Sequence, residues 1–119
     1  MYEKQLVGRN GEKLACKYLV EKNYKIIERN FKAKHGEIDI IAYDNENNEL
    51  VFIEVKTRTN YNYGVPSEAI DKSKINHIKS TIKCYLYIKN IENTYIRIDV
   101  IEIIFNNGKH RINHIIGAV

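Results

Sequence analysis

Residues 36–58 read GEIDIIAYDNENNELVFIEVKTR, two apolar runs separated by the polar stretch NENN at 45–48. The short connection predicts an antiparallel hairpin of strands 36–44 and 49–58. Alternation along the second strand sets Leu50, Phe52, Glu54, Lys56 and Arg58 on one face and Val51, Ile53, Val55 and Thr57 on the other. On the first strand Glu37, Asp39, Ile41 and Tyr43 share one face, with Ile38, Ile40 and Ala42 opposite. Apolar residues on both faces of both strands point to central places in a sheet. Charges in such strands need partners, because an unpaired buried charge is expensive.

Outward from the hairpin, residues 3–22 predict an amphipathic helix with Val7, Gly11, Leu14, Ala15, Tyr18 and Leu19 on one side. Asn23 suits its end, since asparagine tolerates the left-handed conformation. YKIIERNFKA (24–33) is strand-like. A tyrosine-bearing polar loop at 59–65 leads to Pro66, which fits the first turn of a long helix over 67–89. That helix carries Ile70, Ile78, Ile82, Tyr85 and Leu86 on one stripe. Strands over 94–105 and 109–119 follow, around the turn Asn106-Asn107-Gly108. The order α-β-β-β-α-β-β specifies an α/β fold, a central mixed sheet flanked by helices.

A chain of 119 residues accommodates one core, so 1–119 is expected to be a single domain. No apolar run reaches the roughly 18–20 residues of a membrane span, and the first residues lack a signal-peptide core. The expectation is a cytoplasmic protein with no membrane partner. The two cysteines, Cys16 and Cys84, lie in helix-like segments and form no disulfide framework. With no CxxC and with scattered histidines, a cysteine zinc site is excluded. A net charge of +4 is a mild bias towards anionic partners such as nucleic acid.

If the hairpin aligns its charged faces, Asp39 and Glu54 become neighbouring carboxylates. Lys56 lies roughly 6.6 Å further along the same face. Adjacent carboxylates repel unless one is protonated or a cation sits between them. Mg²⁺ suits such a place, because it takes oxygen ligands and bridges carboxylates to substrate phosphates. The spacing alone equally allows a Glu54–Lys56 ion pair on a solvated face, and D…ExK is a short pattern. Two more charges fall inside apolar helix sectors: Glu12, between Ala15 and Leu19, and Lys74, beside Ile78. Glu12 could add a third acid and Lys74 a cation near a phosphate, or each could snorkel at the end of its stripe. Lys34 and Arg58 flank the same strands. Tyr63 in the adjoining loop could stack on an unpaired base. Arg97 and Asp99 read as a structural ion pair.

Asp39 with Glu54-Val55-Lys56 resembles the D…(D/E)xK signature of the restriction-endonuclease-like, or PD-(D/E)XK, nucleases. GxxGExxA over Gly8–Ala15, GEIDIIA, FIEVKTR, YGVPSEAI and Lys74 together resemble the YraN-like family of small bacterial proteins, related by fold to archaeal Holliday-junction resolvases. The resemblance runs from about Gly8 to Val119. It implies a restriction-endonuclease-like fold and a Mg²⁺- or Mn²⁺-dependent nuclease acting on structured or branched DNA. Asp39, Glu54 and Glu12 would be the metal ligands, and Asp39, Glu54 and Lys56 the catalytic set. Lys74, Arg58, Lys34 and Tyr63 would contact nucleic acid, and a homodimer follows by analogy with the resolvases. Ile38 stands where the superfamily name has proline. A non-catalytic nucleic-acid-binding module and a protein-interaction adaptor are the alternatives on the same scaffold.

Overall fold

The computed structural model describes residues 2–59 and 72–119, with side chains from Asn10 onward. In chain order the elements are α1 (Tyr2–Glu21), β1 (Tyr24–Ala33), β2 (Gly36–Asp44), β3 (Glu49–Arg58), α2 (Lys72–Ile88), β4 (Ile96–Asn106) and β5 (Lys109–Ile115). The predicted strands β1 to β3 match these bounds. β4 begins two residues later than expected, and β5 ends at Ile115 instead of running to the C-terminus. The expected start of the second helix, with Pro66 and Ile70, lies outside the described residues, as does Tyr63.

Among the described residues the strands form one mixed sheet in the order β1-β2-β3-β4-β5. Only β3 and β4 run parallel, and α2 belongs to the crossover that parallel neighbours require. Asn23 ends α1 with φ 70°, and Asn107 and Gly108 carry the tight β4–β5 turn at φ 52° and 76°.

The two faces of the sheet hold separate cores. Ala15 and Leu19 of α1 pack on Ile40, Ala42, Val51, Ile53, Ile101 and Ile103. Ile78, Ile82 and Tyr85 of α2 pack on Phe31, Ile41, Leu50, Phe52 and Ile98, and Tyr85 meets the rings of Phe31 and Phe52 edge-on. Alternation in β3 is thus as the sequence implies. Ile38 departs from it: expected beside Ile40 and Ala42, it packs with Ile41 and Phe52 on the α2 side. The cause lies in the neighbouring strand. Asn30, at φ 54°, falls between the pairs Arg29↔Ile40 and Phe31↔Ile38, and a left-handed residue inside a strand turns the local pleat.

Two features fix α1 and the far end of the sheet. Gly11 lies directly over Thr57, where a Cβ would collide with the threonine methyl. At the other end, Arg97 donates to Asp99 (2.9 and 3.0 Å), Asp44 (2.9 Å), Glu49 (2.9 Å) and the Tyr24 hydroxyl (2.7 Å). Asp99, fully buried, also meets His114 Nε2 at 2.7 Å and accepts from the Gly117 N–H, while Tyr18 bonds His114 Nδ1. The expected Arg97–Asp99 pair is therefore the centre of a network joining α1, all five strands of the sheet and the C-terminal residues. Burial alone would raise the Asp44 carboxyl, but Asn47, Arg97 and the N–H groups of Asn47 and Glu46 outweigh it and hold it at about 2.

Gly11→Ala is expected to lower stability by about 1–3 kcal/mol in urea unfolding, because the overpacking against Thr57 exceeds the gain in helix propensity. Arg97→Ala should cost about 3–5 kcal/mol, since it strands Asp99 in the core. The Asp44 carboxyl is depressed on folding, so its contribution is present above the ordinary carboxylate range and lost as pH falls from about 4 towards 2. Unfolding midpoints compared at neutral and acid pH should show that loss in the wild type, with the Asp44 part reduced in Arg97→Ala, where Asn47 and the N–H groups of Asn47 and Glu46 remain.

Candidate active site

The site forms where the sheet divides. Backbone pairing between β2 and β3 runs from Asp44↔Glu49 to Ile40↔Ile53 and stops. Beyond it β2 stays paired with β1 down to Gly36, and β3 stays paired with β4 up to Arg58. The Val55 N–H at the opening is taken by a side chain instead: it donates to Asp39 Oδ2 at 2.8 Å. One step past Ile41↔Phe52 and Ile40↔Ile53, the register brings Asp39 level with Glu54. The two carboxyls are thereby neighbours whose charges interact, as the shared face of the hairpin led us to expect.

Around this pair is an open pocket of about 620 Å³, lined by Gly36, Asp39, Glu54, Lys56, Lys74 and His77 among others. Its wall on the α2 side is set by a close approach at Gly36, where a Cβ would lie 2.7 Å from Thr81 Oγ1. Glu54 is buried, at 8% exposure, and its Oε1 lies 3.9 Å from Lys74 Nζ. Lys74 therefore does reach the sheet from the second helix, as its place beside Ile78 implied.

The electrostatics are those of crowded like charges. Burial and then the neighbouring Glu54 push the Asp39 carboxyl up to about 7, against the opposing Val55 N–H. Lys56 is pushed below its ordinary value, first by burial and then by the adjacent Lys74, while Glu54 and Asp39 pull the other way. Three acids, Glu37, Asp39 and Glu54, and two lysines, Lys56 and Lys74, thus line one pocket, with the Asp39 carboxyl pushed up to about 7 and Lys56 pushed below its ordinary value.

Glu12 takes a flanking place. Its Oε1 lies 3.4 Å from Arg29 Nη2, and its carboxyl is raised by burial first and by the charge of Asp39 second. It feels the pair, but among the described residues no three His, Cys, Asp or Glu side chains converge as a ready-made metal cluster. Arg58 continues the Lys56 face of β3, half-buried, with its Nε lacking a hydrogen-bond partner. Lys34 is exposed at the β1–β2 turn and lines a smaller neighbouring hollow with His35 and Thr81, outside the pocket of Asp39.

Three residues near the site were not singled out in the sequence. Arg29 holds Glu12, and no local pattern joins them because they meet only through the packing of α1 on β1. His77 lines the pocket one helical turn after Lys74, a spacing that was available as a signal. Glu102, 1% exposed, is level with Lys56 across the parallel β3–β4 pair. Its Oε1 accepts from Asn113 Nδ2 at 2.7 Å, and its Oε2 is buried without a partner. An acid within the apolar run VIEIIF was its signal.

Comparison with known proteins gives a consistent assignment. Residues 11–103 match the family model described as uncharacterised protein family UPF0102. The chain is 46% identical over 118 residues to a UPF0102 protein of Caldanaerobacter subterraneus subsp. tengcongensis, covering 97% of this chain and 95% of the relative. It is 47% identical over 111 residues to a UPF0102 protein of Clostridium botulinum strain Eklund 17B, covering 92% and 89%. A UPF0102 protein of Clostridium botulinum strain 657 is 52% identical over 101 residues, covering 84% and 80%. The match spans the helix bearing Glu12, the fork at Asp39 and Glu54, and the lysines beside it, and the chain belongs to the UPF0102, or YraN-like, family.

Proposed function

We propose that this protein is a metal-dependent endonuclease that hydrolyses phosphodiester bonds in nucleic acid, with structured or branched DNA the substrate suggested by its resemblance to the resolvases. The observation that carries this reading is the contact of Asp39 with Glu54 beside Lys56 and Lys74 in an open pocket. A purely structural site would separate or neutralise two touching acids. Here they are left paired, an arrangement suited to a cation that takes oxygen ligands.

The donor set fits Mg²⁺ or Mn²⁺: two carboxylates, with the remaining positions open to water and to phosphate oxygens. Such an ion, when bound, neutralises both acids and makes a nearby water more acidic. Asp39 and Glu54 would hold it, with Glu12 tuning Asp39 through its charge. Lys56, in its neutral form, could accept a proton from the attacking water. As the ammonium it can stabilise charge gathering on the phosphate. Lys74 would grip a phosphate oxygen from the α2 side once released from Glu54. A second reading, a nucleic-acid-binding module without hydrolysis, draws on that same Lys74–Glu54 bridge, which offsets one acid with no metal at all. Among the described residues no helix is long and apolar enough to cross a membrane.

Cleavage of labelled four-way junction, flap, single-stranded and linear duplex DNA in Mg²⁺ or Mn²⁺ tests the proposal. The wild type is expected to cut at least one of them, to stop in EDTA, and to lose about 100-fold or more in Lys56→Met and Glu54→Gln. Binding without cutting under every condition would favour the second reading.

A stability measurement tests the carboxylate pair apart from any substrate. The Asp39 carboxyl is raised on folding, so stability is lost as pH rises from its ordinary 3.8 through about 7. Asp39→Asn keeps the neutral form throughout. It should melt like the wild type near pH 3.5 and be more stable near pH 8, by on the order of 2 kcal/mol or more. Mg²⁺ near pH 8 should raise the wild-type melting temperature and leave that of Asp39→Asn little changed.

A further inference from the structure

The edge strand β5 sorts its side chains by chemistry. Ile112 and His114 stand on the α1 face, where Ile112 packs on the core and His114 bonds Tyr18. Lys109, Arg111 and Asn113 stand on the opposite face, in register with Asn106, Ile104 and Glu102 of β4. Those β4 positions are level in turn with β3: Ile104 with Arg58, and Glu102 with Lys56. Lys56, Arg58, Arg111 and Lys109 therefore share the face that carries Glu54. Four cations lie there with two buried acids, Glu54 and Glu102.

We propose that this face is a track for the sugar-phosphate backbone of nucleic acid, leading from the Asp39–Glu54 pair past Lys56 and Arg58 to Arg111 and Lys109 beside the β4–β5 turn. The inference rests on the nucleic-acid part of the proposed function and not on cleavage. β3 and β5 are two strand spacings apart, roughly 9–10 Å, a span that a short stretch of sugar-phosphate backbone can cross. Arg58 supports the track by its place: it stands half-buried at the end of β3, level with Ile104 and through it with Arg111. Charges on an edge strand also discourage pairing with other sheets. That purpose does not require the cations to stand in cross-strand rows with Lys56 and Arg58.

The test is fluorescence anisotropy of a labelled single-stranded DNA in EDTA, which removes cleavage, over about 50 to 200 mM salt. The slope of log affinity against log salt should become shallower by about 0.7 in Arg111→Ala and about 1.4 in Arg111→Ala with Lys109→Ala. Lys25→Ala, on β1 at the opposite edge of the sheet, should keep the wild-type slope, and melting curves should show all variants folded. Wild-type slopes in the β5 variants, or an equal loss in Lys25→Ala, would overturn the track. A wild type that binds DNA without cutting it leaves the track standing and removes only the nuclease reading. A wild type that binds no DNA removes both.

Discussion

The fork between β2 and β3 is the constraint on which the site depends. When backbone pairing ends at Ile40↔Ile53, the Val55 N–H would face an opening without a carbonyl, and such a donor must find a partner. Asp39 supplies it at 2.8 Å, and doing so commits its carboxyl to the plane between the strands, against Glu54. The acid that closes the backbone account at the fork is thereby the acid that creates the electrostatic problem. Lys74 and Lys56 are the chain's answer to that problem.

The same molecule also shows how it handles buried charge with no such demand. Asp99 is buried completely, yet Arg97, His114 and the Gly117 N–H occupy its oxygens, and Asp44 beside it is held at about 2. Asp39 and Glu54 are less deeply placed, yet Asp39 is driven up to about 7. Depth alone does not account for the difference. The Arg97 network is closed among its own groups, whereas the fork leaves two acids against one another beside an open pocket. Perturbation of this kind, away from the best available pairing, is what functional sites tend to show.

Much of this was legible in the sequence because period-2 alternation in β3 survives unbroken to the end of the strand. Phe52, Glu54, Lys56 and Arg58 could be placed on one face, and the short NENN turn fixed the partner strand. Ile38 was misplaced because its side depends on Asn30 of the neighbouring strand, whose left-handed backbone leaves no mark in the spacing of β2 itself. Glu12 was located inside the apolar sector of α1, but its partner Arg29 was not, because that contact depends on how the helix crosses β1. Glu102 went unnoticed because each β4 residue was weighed within its own strand. Its relation to Lys56 exists only in the parallel register.

Glu54 is the most contested group in the pocket, since Asp39 and Lys74 both claim it. A cation bound between the acids would take over the charge compensation that Lys74 now provides at 3.9 Å. The Lys74–Glu54 bridge and such a cation would thus answer the same repulsion between the carboxylates. Because β3 supplies Lys56 and α2 supplies Lys74, the two lysines line the pocket from different walls.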